Sequence, residues 1–242
     1  MEKTDNINSG RLYLIPVPMS SDTTPHDVLP ASTLETIKSL KCFFVEELRS
    51  ARRFLRAVDR EFDIDGTEFL IVNEHTKDSD SAGIIEVLKR HNLIGVISEA
   101  GCPGIADPGS MVVKLARAKG FRIVPMVGPS SILLGLMGSG FNGQNFTFLG
   151  YLPHDTEDRK KKVLSLVKKV SNNNETQIFI ETPYRNNKLI AELTGLIPSD
   201  MKLCVACNLT SPDEEIIVKK IGEWKSSRYD FSKRPAIFLL GN

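Results

Sequence analysis

The sequence predicts an α/β protein made of two α/β domains. Strand-length apolar runs alternate with amphipathic helical stretches along the chain. Two loops that combine glycine and proline each follow such a run and lead into a helix. After Gly128 the alternation starts afresh, which predicts an N-terminal α/β domain over residues 1–127 with a parallel sheet. The C-terminal α/β domain, residues 128–242, is predicted to have a mixed sheet.

In the first part, Leu12–Val17 reads as a strand. Leu34–Leu40 reads as a helix, with Ser32 and Glu35 spaced as a capping box. Phe43–Val45 is a strand and Arg49–Val58 a helix; Phe69–Val72 is the next strand. Ser81–Arg90 is a helix whose apolar face carries Ile84, Ile85 and Leu88. Ile94–Ile97 is a strand. Asp107-Pro108 reads as an N-cap with proline at the first helical position, opening a helix to about Lys119. Gly120 ends it before the strand Phe121–Val124.

In the second part, Gly128-Pro129-Ser130-Ser131 opens an apolar helix, Ile132–Met137, which Gly138, Gly140 and Gly143 end. A strand at Phe146–Leu149 precedes a very basic helix, Asp158–Val170, and a polar turn, Ser171–Glu175. Strands follow at Gln177–Ile180, Leu203–Ala206, Glu214–Val218 and Pro235–Leu240, with helices at Asn186–Thr194 and Ile221–Lys225.

Composition narrows the function classes. The 242 residues are 41% hydrophobic and 25% charged, ordinary globular usage, with 31 basic and 30 acidic side chains. A net charge of +1 makes the chain neither a basic nucleic-acid coat nor an acidic tail, so any nucleic-acid site must arise from local clustering. The start, MEKTDNINSG, lacks an apolar signal segment, and no run approaches the ~18 apolar residues of a membrane span. Cys42, Cys102, Cys204 and Cys207 are too scattered for a disulfide scaffold. These features predict a soluble cytoplasmic protein with no membrane contact.

Several chemistries are missing: there is no phosphate-binding G-x-x-x-x-G-K-[ST], no G-x-G-x-x-G after the first strand, no H-E-x-x-H and no G-x-S-x-G. His26, His75, His91 and His154 are far apart, and surface or helix-end roles are expected of them. Cys204-Val-Ala-Cys207 has the C-x-x-C spacing, but on a strand positions i and i+3 face opposite sides, so the pair reads as two small core residues and no metal site is expected.

The most unusual segment runs from Ser98-Glu99-Ala100-Gly101-Cys102-Pro103-Gly104 to Asp107-Pro108-Gly109. Small residues let backbone approach a ligand closely, and ligands of parallel sheets bind beyond the carboxyl ends of strands. A tight turn would need the same residues. The loop Val127–Ser131 leads into a helix whose first amides could meet a carboxylate or hydroxyl.

These loops carry a resemblance. Leu12–Pro18 ends in Pro-x-Pro, Ser98–Pro103 is followed by Asp107-Pro108-Gly109, and Val124–Ser130 reads Val-Pro-x-x-Gly-Pro-Ser. Gly150-Tyr151-Leu152-Pro153, Glu181-Thr182-Pro183-Tyr184-Arg185 and Ala206–Thr210 follow in order. Together the six motifs resemble the tetrapyrrole methylase superfamily of S-adenosylmethionine-dependent methyltransferases, from about residue 11 to the end. Within it they are most similar to the bacterial branch that methylates a ribose 2′-hydroxyl of a cytidine in 16S ribosomal RNA.

The resemblance implies a cofactor folded into a cleft between the two domains. It implies cofactor contacts at Met19, Ala100, Gly101, Cys102, Ile105, Ser130, Ser131, Glu181, Leu209, Pro235 and Ala236. It also implies a homodimer and, as partner, ribosomal RNA or the small ribosomal subunit. Departures fall on the substrate side. Met19-Ser20-Ser21 replaces Ile-Gly-Asn, Glu46-Glu47-Leu48-Arg49 replaces Glu-Asp-Thr-Arg, Glu99 replaces the loop aspartate, and Cys207 and Asn208 replace Arg-Glu.

Arg49, Arg52, Arg53, Arg56 and Arg60 share one helical face if the helix reaches residue 60, with Arg159–Lys162 and Lys168-Lys169 adding charge elsewhere. Arg52, Arg53 and Arg56 are the candidate phosphate contacts, although a solvated helix face has the same pattern. Because the sulfonium is already an activated electrophile, the protein mainly has to align acceptor and methyl. Glu47 and Arg49 are the only candidates on the acceptor side. Methylation of a small molecule such as a tetrapyrrole, and S-adenosylmethionine binding without catalysis, both stay open.

Overall fold

The structure, a computed structural model, describes residues 10–77, 79 and 81–242. The chain divides into two compact units after Pro129. Each has its own five-stranded sheet.

The first unit begins with β1 (Arg11–Ile15), α1 (Pro25–Val28), α2 (Ala31–Ser39), β2 (Cys42–Val45), α3 (Leu48–Val58) and β3 (Glu68–Ile71). It continues with α4 (Ser81–Arg90), β4 (Leu93–Ile97), α5 (Gly109–Ala118) and β5 (Arg122–Pro125). Its strand order is β3-β2-β4-β1-β5, with every pairing parallel. Helices cover both faces, so the central strands are apolar throughout: Cys42, Phe43, Phe44 and Val45 are all buried. One core holds Ile15, Phe43, Phe54 and Leu55; the other holds Leu12, Phe44, Ile84 and Val112. Gly95 in β4 makes room for Phe43, because a Cβ there would stand 2.5 Å from its ring.

Chain order and strand order together fix where a ligand fits. The connection from β1 runs past β4 to β2, whereas the connection from β4 runs past β1 to β5. The loops after these two neighbouring strands therefore leave in opposite directions, which makes their carboxyl ends the topological switch point of the sheet.

The second unit contains α6 (Ser131–Ser139), β6 (Phe146–Tyr151), α7 (Thr156–Asn173), β7 (Thr176–Ile180), a short 3-10 turn at Pro183–Arg185 and α8 (Asn186–Leu196). It ends with β8 (Lys202–Cys207), β9 (Glu215–Lys220), α9 (Ile221–Ser226) and β10 (Ala236–Gly241). Its order is β6-β7-β10-β8-β9; β6–β7 is parallel and the other pairings are antiparallel, so the sheet is mixed. Trp224, Phe179 and Phe238 anchor its core. Cys204 and Cys207 are buried in β8, and burial pushes their thiols up to about 12 and about 11. They behave as the core residues their spacing predicts.

Helix ends depart from the expectation in instructive ways. Helix α2 starts at Ala31 behind Pro30, so Ser32 lies inside the first turn and forms no capping box with Glu35. Glu35 instead pairs with Lys38 at 2.9 Å. A capping carboxylate occurs one helix earlier, where Asp27 accepts from the Thr24 N–H and hydroxyl at 2.8 and 2.7 Å. Thr24-Pro25-His26-Asp27 has the spacing of a capping box with proline at the first helical position. Helix α3 stops at Val58, because Asp59 is extended. Arg60 therefore falls off the helical row, and its carbonyl accepts from Arg56. The basic helix α7 runs through the expected polar turn to Asn173, ending on left-handed Asn174.

Candidate functional site

Three loops of the first unit converge at the switch point. Beyond β1, Val17 forms an antiparallel bridge with Gly101: the Val17 N–H donates to the Gly101 carbonyl at 2.9 Å and the Gly101 N–H donates back at 3.2 Å. Beyond β4, Gly101 adopts φ +69°, a left-handed conformation that L side chains resist. A Cβ on Gly101 would sit 3.6 Å from the Pro129 carbonyl oxygen and 4.0 Å from Met19 Cγ and Sδ. Beyond β5, Pro129 also accepts from the Cys102 thiol at 3.3 Å. Met19, Gly101, Cys102 and Pro129 thus form one cluster, with bare backbone at its centre.

The rest of the long loop is held by carboxylates. Asp107 Oδ1 accepts from the N–H groups of Gly104 and Gly109 at 2.6 and 2.7 Å. The helix starts one residue later than expected, since Pro108 rather than Asp107 is the N-cap of α5. Glu46, at the end of β2, accepts from the Glu99 N–H at 3.0 Å, and Glu99 accepts from the Ser50 hydroxyl. Burial pushes the Glu46 carboxyl above its ordinary range; the Glu99 N–H opposes this, and Asp107, Glu99 and Glu74 add to it. Burial likewise raises Asp107, against the hydrogen bonds from Gly104 and Gly109. A crevice lined by Val45, Glu46, Ser98, Pro103 and Asp107 opens at these strand ends. Ala100 and Ile105 are exposed on the same loop.

Sequence reasoning passed over Glu46 in favour of its neighbour. Glu47 is the N-cap of α3, accepting from the Arg49 and Ser50 N–H groups at 2.8 and 2.6 Å, which hold its carboxyl below the ordinary range. Arg49, Arg52, Arg53 and Arg56 are all exposed on α3, opposite buried Ala51, Phe54, Leu55 and Val58. Arg52 also lies 5.7 Å over the Phe69 ring. Arg159, by contrast, is only 3% exposed. It pairs with Glu192 through Nε and Nη2 at 2.7 and 3.2 Å and donates to the Pro153 and His154 carbonyls. Its charge belongs to the interior of the second unit.

In the second unit, four of the expected residues meet at one end of the three central strands. Glu181 follows β7, Leu209 follows β8, Pro235 precedes β10 and Ala236 begins it. Ala236 pairs with Cys207, Ile237 pairs with Ile180, and the Asn208 N–H donates to the Pro235 carbonyl at 2.9 Å. Glu181 Oε1 accepts from the Thr182 N–H at 2.8 Å and its other oxygen lies 3.4 Å from Arg185, so this carboxylate first orders its own turn. Ser130 is the N-cap of α6 without a side-chain cap bond, and Ser131 is the first helical residue.

The comparisons with known proteins agree with this architecture. The family described as Tetrapyrrole (Corrin/Porphyrin) Methylases matches residues 12–225. "Ribosomal RNA small subunit methyltransferase I" of Bacillus subtilis is 31% identical over 214 residues, covering 88% of this chain and 68% of the relative. The chain spans about two thirds of the length of the curated relatives it matches. Among solved structures, the methyltransferase CobJ superposes with a TM-score of 0.65 at 13% identity, over 97% of this chain and 95% of the other. A Thermus thermophilus uroporphyrin-III C-methyltransferase, complexed with S-adenosylhomocysteine, gives 0.56 at 15% identity, over 96% and 92%. At these identities the superpositions establish the two-domain α/β methylase fold. The family match over most of the chain establishes the rest: the chain belongs to the tetrapyrrole methylases and is a methyltransferase.

Proposed function

We propose that the chain transfers a methyl group from S-adenosylmethionine to a ribose 2′-hydroxyl of ribosomal RNA, in the cytoplasm and as a homodimer. The observation that carries the cofactor assignment is the cluster at the switch point, where left-handed Gly101 leaves bare backbone beside Met19, Cys102 and Pro129. Such a surface fits a ligand that packs flat against main chain. In this reading Met19, Ala100, Gly101, Cys102 and Ile105 hold the cofactor from the first unit. The resemblance also assigns cofactor contacts to Ser130, Ser131, Glu181, Leu209, Pro235 and Ala236. When bound, the cofactor supplies an electrophilic methyl group. The protein supplies alignment and a dry environment.

The ribosomal RNA acceptor is supported by the names of the relatives and by the exposed row Arg49, Arg52, Arg53 and Arg56 on α3. Phosphate contacts from such a row position an RNA without reading its sequence. In the proposed complex, Arg49 faces the acceptor strand and Glu47 fixes the start of the helix that presents the row. Self-association is supported by Leu133 and Met137, one turn apart on α6 and 53% and 77% exposed. Among the described residues no helix is long and apolar enough to cross a membrane.

Titration calorimetry with S-adenosylmethionine and S-adenosylhomocysteine tests the cofactor assignment. Both should bind; no heat and no thermal shift at millimolar ligand would remove it.

A further inference from the structure

At the amino-terminal end of the strands of the first sheet, opposite the loops proposed to hold the cofactor, three different metal-ligating side chains come together. Cys42 opens β2 and Glu68 opens β3, and the two are register partners in adjacent parallel strands, so their side chains share a face. His91 lies between α4 and β4, where the chain turns back toward the same end. The Cys42 sulfur, a Glu68 carboxylate oxygen and a His91 ring nitrogen all lie within 4.8 Å of one another. We propose that Cys42, Glu68 and His91 form a structural binding site for a zinc-class divalent cation.

The donor set decides the class of ion. A thiolate with an imidazole and one carboxylate suits zinc, whereas magnesium and calcium take all-oxygen shells. Zinc holds sulfur at about 2.3 Å and nitrogen or oxygen at about 2.0–2.2 Å. The three side chains must therefore draw in slightly around the ion. Cys42 is fully buried, but the side chains of Glu68 and His91 are 33% and 29% exposed, which gives them freedom to adjust and gives the ion an entry path. The open side leaves a fourth position for water.

The surroundings fit the same role. Arg90 grips the Glu68 carboxylate with both guanidinium nitrogens, at 2.5 and 3.1 Å, and His91 Nε2 lies 2.7 Å from Glu68 Oε2. An outer partner that orients a ligating carboxylate is a recurrent feature of metal sites. On binding, Cys42 gives up its proton to solvent, and thiolate and carboxylate together balance the charge of the dication. The ion would tie β2, β3 and the turn before β4 together, far from the proposed cofactor.

The test uses the full chain after chelator treatment and dialysis, titrated with zinc by calorimetry and with cobalt(II) by absorption. One cobalt per chain should bind with a thiolate-to-metal charge-transfer band that zinc abolishes. Cys42→Ser should lose the band, and His91→Asn should weaken zinc binding by about tenfold or more. Circular dichroism confirms that each variant folds; should Cys42→Ser not fold, the partly exposed His91→Asn decides. No band in the wild type, a band that survives in folded Cys42→Ser, or wild-type zinc affinity in His91→Asn would each overturn the proposal. None of these readouts depends on methyl transfer.

Discussion

Placing an alanine at Gly101 separates backbone strain from ligand contact. Gly101 has φ +69°, and an added Cβ would meet nothing closer than 3.6 Å, so the space is adequate and the cost lies in the backbone. A left-handed L residue costs roughly 1–2 kcal/mol. Gly101→Ala should therefore lower the unfolding free energy by about that amount in urea titration, and Gly101→Val by more, since its branched side chain tolerates the region least. Relaxing the loop to escape the strain would displace the Val17–Gly101 bridge, with its bonds of 2.9 and 3.2 Å, and the backbone beside Met19. Affinity for S-adenosylhomocysteine should then fall by about 5–30-fold, the same energy read as an equilibrium constant. Gly120 is the control. It has φ +81° with nothing within 4 Å of its Cβ position, and it ends α5. Gly120→Ala should lose similar stability and no affinity. If Gly101→Ala loses stability but binds like the wild type, the loop is not the cofactor cradle. If it loses neither, the reasoning from its backbone conformation is wrong.

Three further outcomes follow from side chains. Arg52→Glu with Arg56→Glu should leave cofactor affinity unchanged, weaken binding to a ribosomal RNA fragment, and flatten the salt dependence by about 0.7–0.9 per lost phosphate contact; equal slopes in filter binding would exclude the α3 row from the RNA site. Arg159→Ala should cost about 3–5 kcal/mol in chemical denaturation, because it leaves Glu192 and two carbonyls without their buried partner; a loss under 1 kcal/mol would contradict the interior role. Glu46 has a folded-state pKa raised above its ordinary 4.5, so its stabilising contribution is present below that pH and lost as pH rises through the folded value. Glu46→Gln should therefore gain stability relative to the wild type as pH rises above about 4.5, and a pH-independent difference would refute the burial argument.

The order of elements was legible because apolar periodicity reports which face is buried, and both halves of the chain bury strands between helices. Leu203–Ala206 and Gln177–Ile180 read as strands for that reason and lie within β8 and β7. The loop that gathers Met19 and Gly101 stood out as a candidate because glycine after a strand and before a helix is locally unusual. Other features depend on partners distant in sequence. Glu46 reaches the Glu99 N–H across 53 positions, and nothing near Glu46 announces it. Arg159 reads as one more charge in a basic helix until Glu192 meets it. The capping role of Glu47 is local, set by the Arg49 and Ser50 N–H groups beside it. Cys42 and His91 looked unconnected until parallel pairing of β2 with β3 brought Glu68 to both.

The central claim is that this methylase modifies ribosomal RNA. The direct measurement is incubation of the purified chain with labelled S-adenosylmethionine and hypomethylated small ribosomal subunits, followed by nucleoside mass spectrometry. A ribose-methylated nucleoside in the ribosomal RNA, formed with the wild type and reduced with Arg52→Glu/Arg56→Glu, is the predicted result. No label in RNA under conditions where the chain binds S-adenosylmethionine and methylates a small tetrapyrrole would contradict it.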